Sequence, residues 1–193
     1  MNGHPLLSML VLASAVAPAQ RLVEGNASSP VRVLIYEDLQ CPDCADFRRM
    51  LDEKLLPKYG GKVAFEHRDF PLAKHAWARK SAIAARFFQE TSAELAVKYR
   101  RHTLASIQAT TPANFNERLA EFAKSNGADP GAAVAALEDP RYAAAVEKDF
   151  QEGVARGVAH TPTAFVNGVA FVETFTFEEI SKAIDSALAE SRP

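Results

Sequence analysis

The stretch Val31-Arg32-Val33-Leu34-Ile35-Tyr36-Glu37-Asp38-Leu39-Gln40-Cys41-Pro42-Asp43-Cys44 decides the fold. Its first half is apolar and β-branched and predicts a buried strand. Past the cysteines, the apolar residues from Ala45 and Phe47 through Leu51, Leu55 and Leu56 recur at helical spacing. A strand therefore feeds a short turn, and two sulfurs sit where a helix begins.

Those sulfurs belong to the chain's 2 cysteines. A thiolate is the nucleophile of disulfide exchange, and a helix N-terminus stabilises it through unpaired N–H groups and the macrodipole. Pro42 suits the first helical turn, where an N–H is not needed. This places Cys41 at the cap, exposed and attacking, and Cys44 one turn in, shielded and resolving. Asp43 between them opposes thiolate formation. A structural disulfide closing so small a ring would constrain the unfolded chain little. A structural zinc site needs about four ligands, and the sequence has no second C-x-x-C. The redox reading is the favoured one.

A chain of 193 residues can bury a sizeable core. Lys plus Arg number 22 against 24 Asp plus Glu, a balance that gives no case for nucleic-acid binding. Residues 6–17 are apolar, and Ala17-Pro18-Ala19 offers small residues before Gln20, as in a secretory signal peptide over residues 1–19, although Met1-Asn2-Gly3-His4 lacks a basic residue. Export would put the protein in an oxidising compartment. Residues 20–30 read as a polar linker.

Tyr59-Gly60-Gly61 predicts a glycine stop for the first helix. Residues 63–67 alternate as a second strand. From residue 74 to 157 the pattern is helical, with Ala76, Ile83, Ala84, Phe87 and Phe88 on one apolar face. Further helices are expected over residues 92–104, after Pro112 and Asn114, and after Asp129-Pro130 and Asp139-Pro140, where Asp caps and Pro opens the first turn. Trp77 and Tyr142 read as core or groove-lining residues, and His67 and His102 as ordinary strand and helix residues. Residues 163–166 and 169–172 form a hairpin around Asn167-Gly168. Thr176-Phe177-Glu178-Glu179 is a capping box for the last helix. The order β-α-β, helical block, β-β-α describes an α/β thioredoxin fold with an inserted helical domain. Its first part covers residues 31–73, the insertion 74–157 and its second part 158–193.

The first quoted stretch, then Arg68-Asp69-Phe70-Pro71-Leu72, then Thr161-Pro162-Thr163-Ala164-Phe165-Val166-Asn167-Gly168, resembles the DsbA-like thiol–disulfide oxidoreductases. The likeness is to the branch carrying D-x-Q-C-P-x-C and T-P-T-x-x-V-N-G, over about residues 31–190. It implies a cis Pro162 facing the cysteines, with the Thr161 backbone free to bond an extended substrate segment. It implies thiol-bearing or unfolded protein substrates, a quinone-linked membrane protein as reoxidant, a monomer in the periplasm or outside the cell, and no cofactor beyond a Cys41–Cys44 redox disulfide.

Two positions depart from the family. Relatives carry a buried acid where this chain has Ile35, which leaves Glu37 or Asp38 as substitute proton acceptors for Cys44. Relatives often carry Gly where this chain has His160; a histidine there could reach Cys41 and, as a cation, lower its pKa. His75 stands where relatives often have His and reads as a helix-start residue. Asp43 argues for a less oxidising pair and His160 for a more oxidising one, so the same thiols also suit a disulfide reductase or isomerase; readings from other classes are a copper carrier using Cys41, Cys44 and His160, and a peptide-binding module in which the thiols are incidental.

Overall fold

The computed structural model describes residues 21–191. The expected signal peptide at residues 1–19 lies outside them. Strand β1 (Val23–Gly25) is followed by β2 (Arg32–Glu37) and helix α1 (Pro42–Met50). A π-helical turn (Leu51–Leu55) leads into α2 (Leu56–Tyr59) and then β3 (Ala64–Asp69). The helical block holds α3 (Ala78–Thr91), α4 (Ala93–Ala105), α5 (Phe115–Ser125), α6 (Pro130–Ala135) and α7 (Pro140–Ala155). Strands β4 (Thr163–Val166) and β5 (Val169–Val172) and helix α8 (Phe177–Glu190) complete the chain.

The sheet order is β1-β3-β2-β4-β5. Strands β2 and β3 run parallel, joined by the crossover through α1 and α2, and the remaining pairs are antiparallel. Central β2 is covered on both faces, and its alternation sorts the two cores. Val33 and Ile35 meet Phe47, Leu51, Leu55, Phe65, Ile180 and Ile184 on one side. On the other, Tyr36 packs with Phe70 and Val158. Each such fully buried aliphatic or Phe side chain contributes about 1.5–3 kcal/mol. Helix α7 lies flush on that second face at Gly153, where an added Cβ would stand 2.6 Å from Phe70 Cδ2 and 2.9 Å from Tyr36 Cε1. A third core fills the helical block around Trp77, Phe88, Tyr99, Phe115 and Phe122, and Cys41 and Cys44 belong to it. The cysteines thus sit at the join between sheet and helical block.

Several expectations are met by local geometry. Asn167 and Gly168 both have positive φ, 48° and 83°, as a two-residue type I′ hairpin requires. Both halves of the Thr176/Glu179 capping box are formed. Asp129 and Asp139 accept backbone N–H groups at their helix starts, with Pro next in line.

Others are corrected. Residues 20–30 are not a linker throughout: Val23–Gly25 is an edge strand paired with β3, tied down by Glu24. Helix 1 is interrupted, because Pro57 has no N–H for the carbonyl four residues back. The ladder widens just before it, Leu56 N–H bonding to Leu51 O. That helix ends without a left-handed glycine, since Gly60 has φ −56°. Ala76 is exposed and precedes α3, which starts at Ala78 after a turn capped by Trp77.

His67 is no ordinary strand residue. It is buried between two carboxylates, with Nδ1 2.7 Å from Glu37 and Nε2 2.9 Å from Glu24. From there charges alternate through the interior. Glu37 pairs with Arg100 (2.9 Å), Arg100 with Asp69 (2.5 Å), Asp69 with Arg86 (2.5 Å), and Arg86 with Asp149. These side chains come from β2, β3, α3, α4 and α7, so the network pins the helical block to the sheet. Burial raises the cost of each charge, yet Glu37 stays below the ordinary carboxylate range because His67 and Arg100 outweigh it. His67 is likewise pushed up despite its burial by Glu37 and Glu24.

Candidate active site

Cys41 is the N-cap of α1, with extended backbone at φ −82° and ψ 125°, and Pro42 takes the first helical position. The cap residue's side chain therefore looks along the helix start, where amide N–H groups lack intrahelical partners. Cys41 is 4% exposed and Cys44 0%. The expected order of shielding holds, but Cys41 is not an exposed cap. The Thr161 carbonyl oxygen lies 3.2 Å from its sulfur, and Leu39 and Trp77 share its core. The Thr161–Pro162 peptide bond is cis.

The pair is electrostatically split. The Cys41 pKa falls to about 6. The largest cause is the Cys44 thiol donating to its sulfur; burial opposes, and the Thr161 hydroxyl and the amides of Cys44 and Asp43 add to the lowering. Among the described residues the buried Thr161 Oγ1 makes no hydrogen bond. The Thr161 carbonyl acts in the opposite sense, since it can only accept from the protonated thiol. The lowering causes outweigh burial, so the thiolate is favoured. Cys44 moves the other way, well above the ordinary thiol, because burial and the neighbouring Cys41 penalise a second anion.

The remaining expected site residues divide. Asp43 contributes a backbone amide that lowers the Cys41 pKa, a group distinct from the carboxylate expected to oppose the thiolate. His160 does not reach Cys41. Its ring is exposed, and Nδ1 faces Glu173 Oε1 at 3.1 Å. It also stands apart from any thiol–histidine copper set. Glu37 lies close enough to help raise the Cys44 pKa. Held ionised by Arg100 and His67, it has a lowered proton affinity, the reverse of what a proton acceptor near neutral pH needs. Asp38 is the residue underweighted in the sequence. Its N–H donates to Cys44 Sγ at 3.4 Å, and its buried carboxylate bonds the Gln40 and Leu72 amides and His75. The D-x-Q spacing before Cys41 was its only signal. Among the described residues no group of three or more His, Cys, Asp or Glu could hold a metal ion, and no helix is long and apolar enough to cross a membrane.

A parallel βαβ unit with a C-x-x-C at the helix start, completed by a β-hairpin and a C-terminal helix, defines a thioredoxin-type dithiol protein. The family model described as thioredoxin matches residues 18–186, and the chain belongs to that family. Among solved structures it is similar to Wolbachia pipientis α-DsbA1, with a TM-score of 0.78 at 19% identity over 90% of this chain and 94% of that one. It is also similar to oxidised BdbD from Bacillus subtilis, with a TM-score of 0.80 at 22% identity over 88% and 93%. Among curated sequences it is 29% identical over 92% of its length to Na(+)/H(+) antiporter NhaA 3 of Salinispora tropica, of which it spans only 26%. A Rickettsia conorii protein named for protein-disulfide oxidoreductase activity is 28% identical over 89% of this chain, which spans 61% of that relative.

Proposed function

We propose that this chain is an exported thiol–disulfide oxidoreductase acting on thiol-bearing proteins through Cys41 and Cys44. The observation that carries the reading is the split pair: one sulfur favoured as an anion at a helix start, its partner held as a buried thiol beneath it. The Rickettsia relative's name and the resemblance to DsbA-like proteins point the same way. In the forward direction a substrate thiolate attacks Cys41 of the Cys41–Cys44 disulfide. A mixed disulfide forms and Cys44 leaves with the electron pair, taking up a proton. A second substrate thiolate then attacks the mixed disulfide's substrate sulfur, releasing oxidised substrate and the Cys41 thiolate. The substrate loses two electrons and the protein gains them. A quinone-linked membrane protein would take them on, and the protein would work as a monomer in the periplasm or outside the cell. Pro162 and the Thr161 backbone would receive the substrate segment.

A glutathione redox titration of the purified chain tests this. A two-electron transition that vanishes in Cys41→Ser supports the reading, and the midpoint separates an oxidase from a reductase or isomerase. A reduced protein that ignores glutathione disulfide, or that retains stoichiometric copper instead, sinks it.

A further inference from the structure

Asp38 stands apart from the other buried acids. Glu37, Asp69 and Asp149 each face arginine. Asp38 has a fully buried side chain, and its side-chain partner is His75, with Oδ2 2.7 Å from Nδ1. The same oxygen accepts the Leu72 N–H at 2.8 Å, and Oδ1 accepts the Gln40 N–H at 2.7 Å. Gln40 Oε1 in turn accepts the Trp77 N–H at 2.8 Å. One carboxylate thus ties the turn before Cys41 to the loop leading from β3 into α3. The backbone N–H of that same residue points at Cys44 Sγ, 3.4 Å away. This amide serves the resolving sulfur and favours its anion.

We propose that Asp38 and His75 are positioning residues for the resolving step, holding the Asp38 amide against Cys44. The inference rests on the oxidoreductase reading above. In the step concerned, Cys44 gives its proton to solvent and its thiolate attacks Cys41 in a mixed disulfide. The Cys41–Cys44 bond forms, the bond from Cys41 to the outer sulfur breaks, and the outer thiolate leaves with the electron pair. An amide aimed at Cys44 stabilises the attacking anion; an amide free to swing does not. His75 supplies the third anchor of the carboxylate, and its side chain is only 15% exposed, so His75→Asn, which keeps a donor there, is the companion to His75→Ala.

The test mixes reduced protein with glutathione disulfide, quenches in acid and follows both steps by mass. The first step, formation of the mixed disulfide, breaks no bond to Cys44, and far-UV circular dichroism of each variant reports that it is folded. The second, loss of the remaining glutathione, depends on Cys44. In His75→Ala the second step is expected to slow about three- to tenfold, the kinetic equivalent of one lost hydrogen bond, with the first step unchanged. In His75→Asn, whose amide nitrogen can take the place of Nδ1, the second step should return towards the wild-type rate. Asp38→Asn should slow the second step in the same sense. An unchanged second step in His75→Ala, equal slowing of both steps, or no rescue by Asn overturns the role and leaves the proposed function standing. A wild-type chain inert to glutathione disulfide overturns both.

Discussion

The carbonyl oxygen of Thr161 and the Sγ of Cys41 lie 3.2 Å apart across 120 positions of sequence. The Thr161 hydroxyl is buried and, among the described residues, has no hydrogen-bond partner. It is among the groups that bring the Cys41 pKa down to about 6.

Thr161→Val removes that hydroxyl and keeps the shape. Thiolate absorbance of the reduced wild-type chain should titrate near pH 6. The variant should titrate about one unit higher, the equivalent of one hydrogen bond to a charged acceptor. A coincident pair of titration curves would assign the lowering to Cys44 and the helix amides alone.

His160→Gly should leave the Cys41 titration where it is. The sequence alone suggested a rise, on the premise that the imidazole reaches the sulfur. The ring instead pairs with Glu173 at 3.1 Å in an exposed position. A rise of half a unit or more in the variant would show that the two groups meet in solution.

Arg100→Met strips Glu37 and Asp69 of their shared partner inside the protein. Leaving buried carboxylates uncompensated is expected to cost about 3–5 kcal/mol in urea unfolding. A loss below about 1 kcal/mol would mean that the remaining partners, His67 and Arg86, suffice.

The same network sets the pH range of stability. His67 has a raised pKa in the folded chain. Its contribution is complete below the ordinary histidine value and is lost as pH rises through the raised one. Glu24, Glu37 and Asp69 are lowered, so theirs is present above the ordinary carboxylate value and is lost as pH falls through the lowered ones. Asp149, which burial pushes up, offsets part of the acid limb. Unfolding measured on the Cys41→Ser/Cys44→Ser protein, free of thiol titration, should therefore decline on both sides of a mildly acidic plateau. His67→Gln should flatten the alkaline side; an identical alkaline slope would exclude His67 as its source.

What the sequence made legible was what depends on near neighbours. Strand β2, the cap at Cys41, the Asn167-Gly168 turn and the Thr176/Glu179 box are each specified within a few residues. Pairings across long separations were not. His67, Arg86 and Arg100 look like surface charges in a one-dimensional pattern, because nothing local marks Glu37 or Asp69 as their partners. Residues 20–30 looked like a linker for the same reason: a three-residue edge strand carries too little periodicity to be seen, and its register against β3 is held by Glu24 and its distant partners. His160 misled because closeness in sequence to Pro162 says nothing about which way a ring turns.

Strand β2 borders both β3 and β4, yet the whole helical block is threaded between those two in the chain. During synthesis the cysteines emerge early, while the strand that carries Thr161 to them comes almost last. A ribosome-bound fragment would hold its reactive sulfur without the polypeptide that faces it. The backbone that faces the Cys41 sulfur is therefore put in place only when β4 pairs with β2.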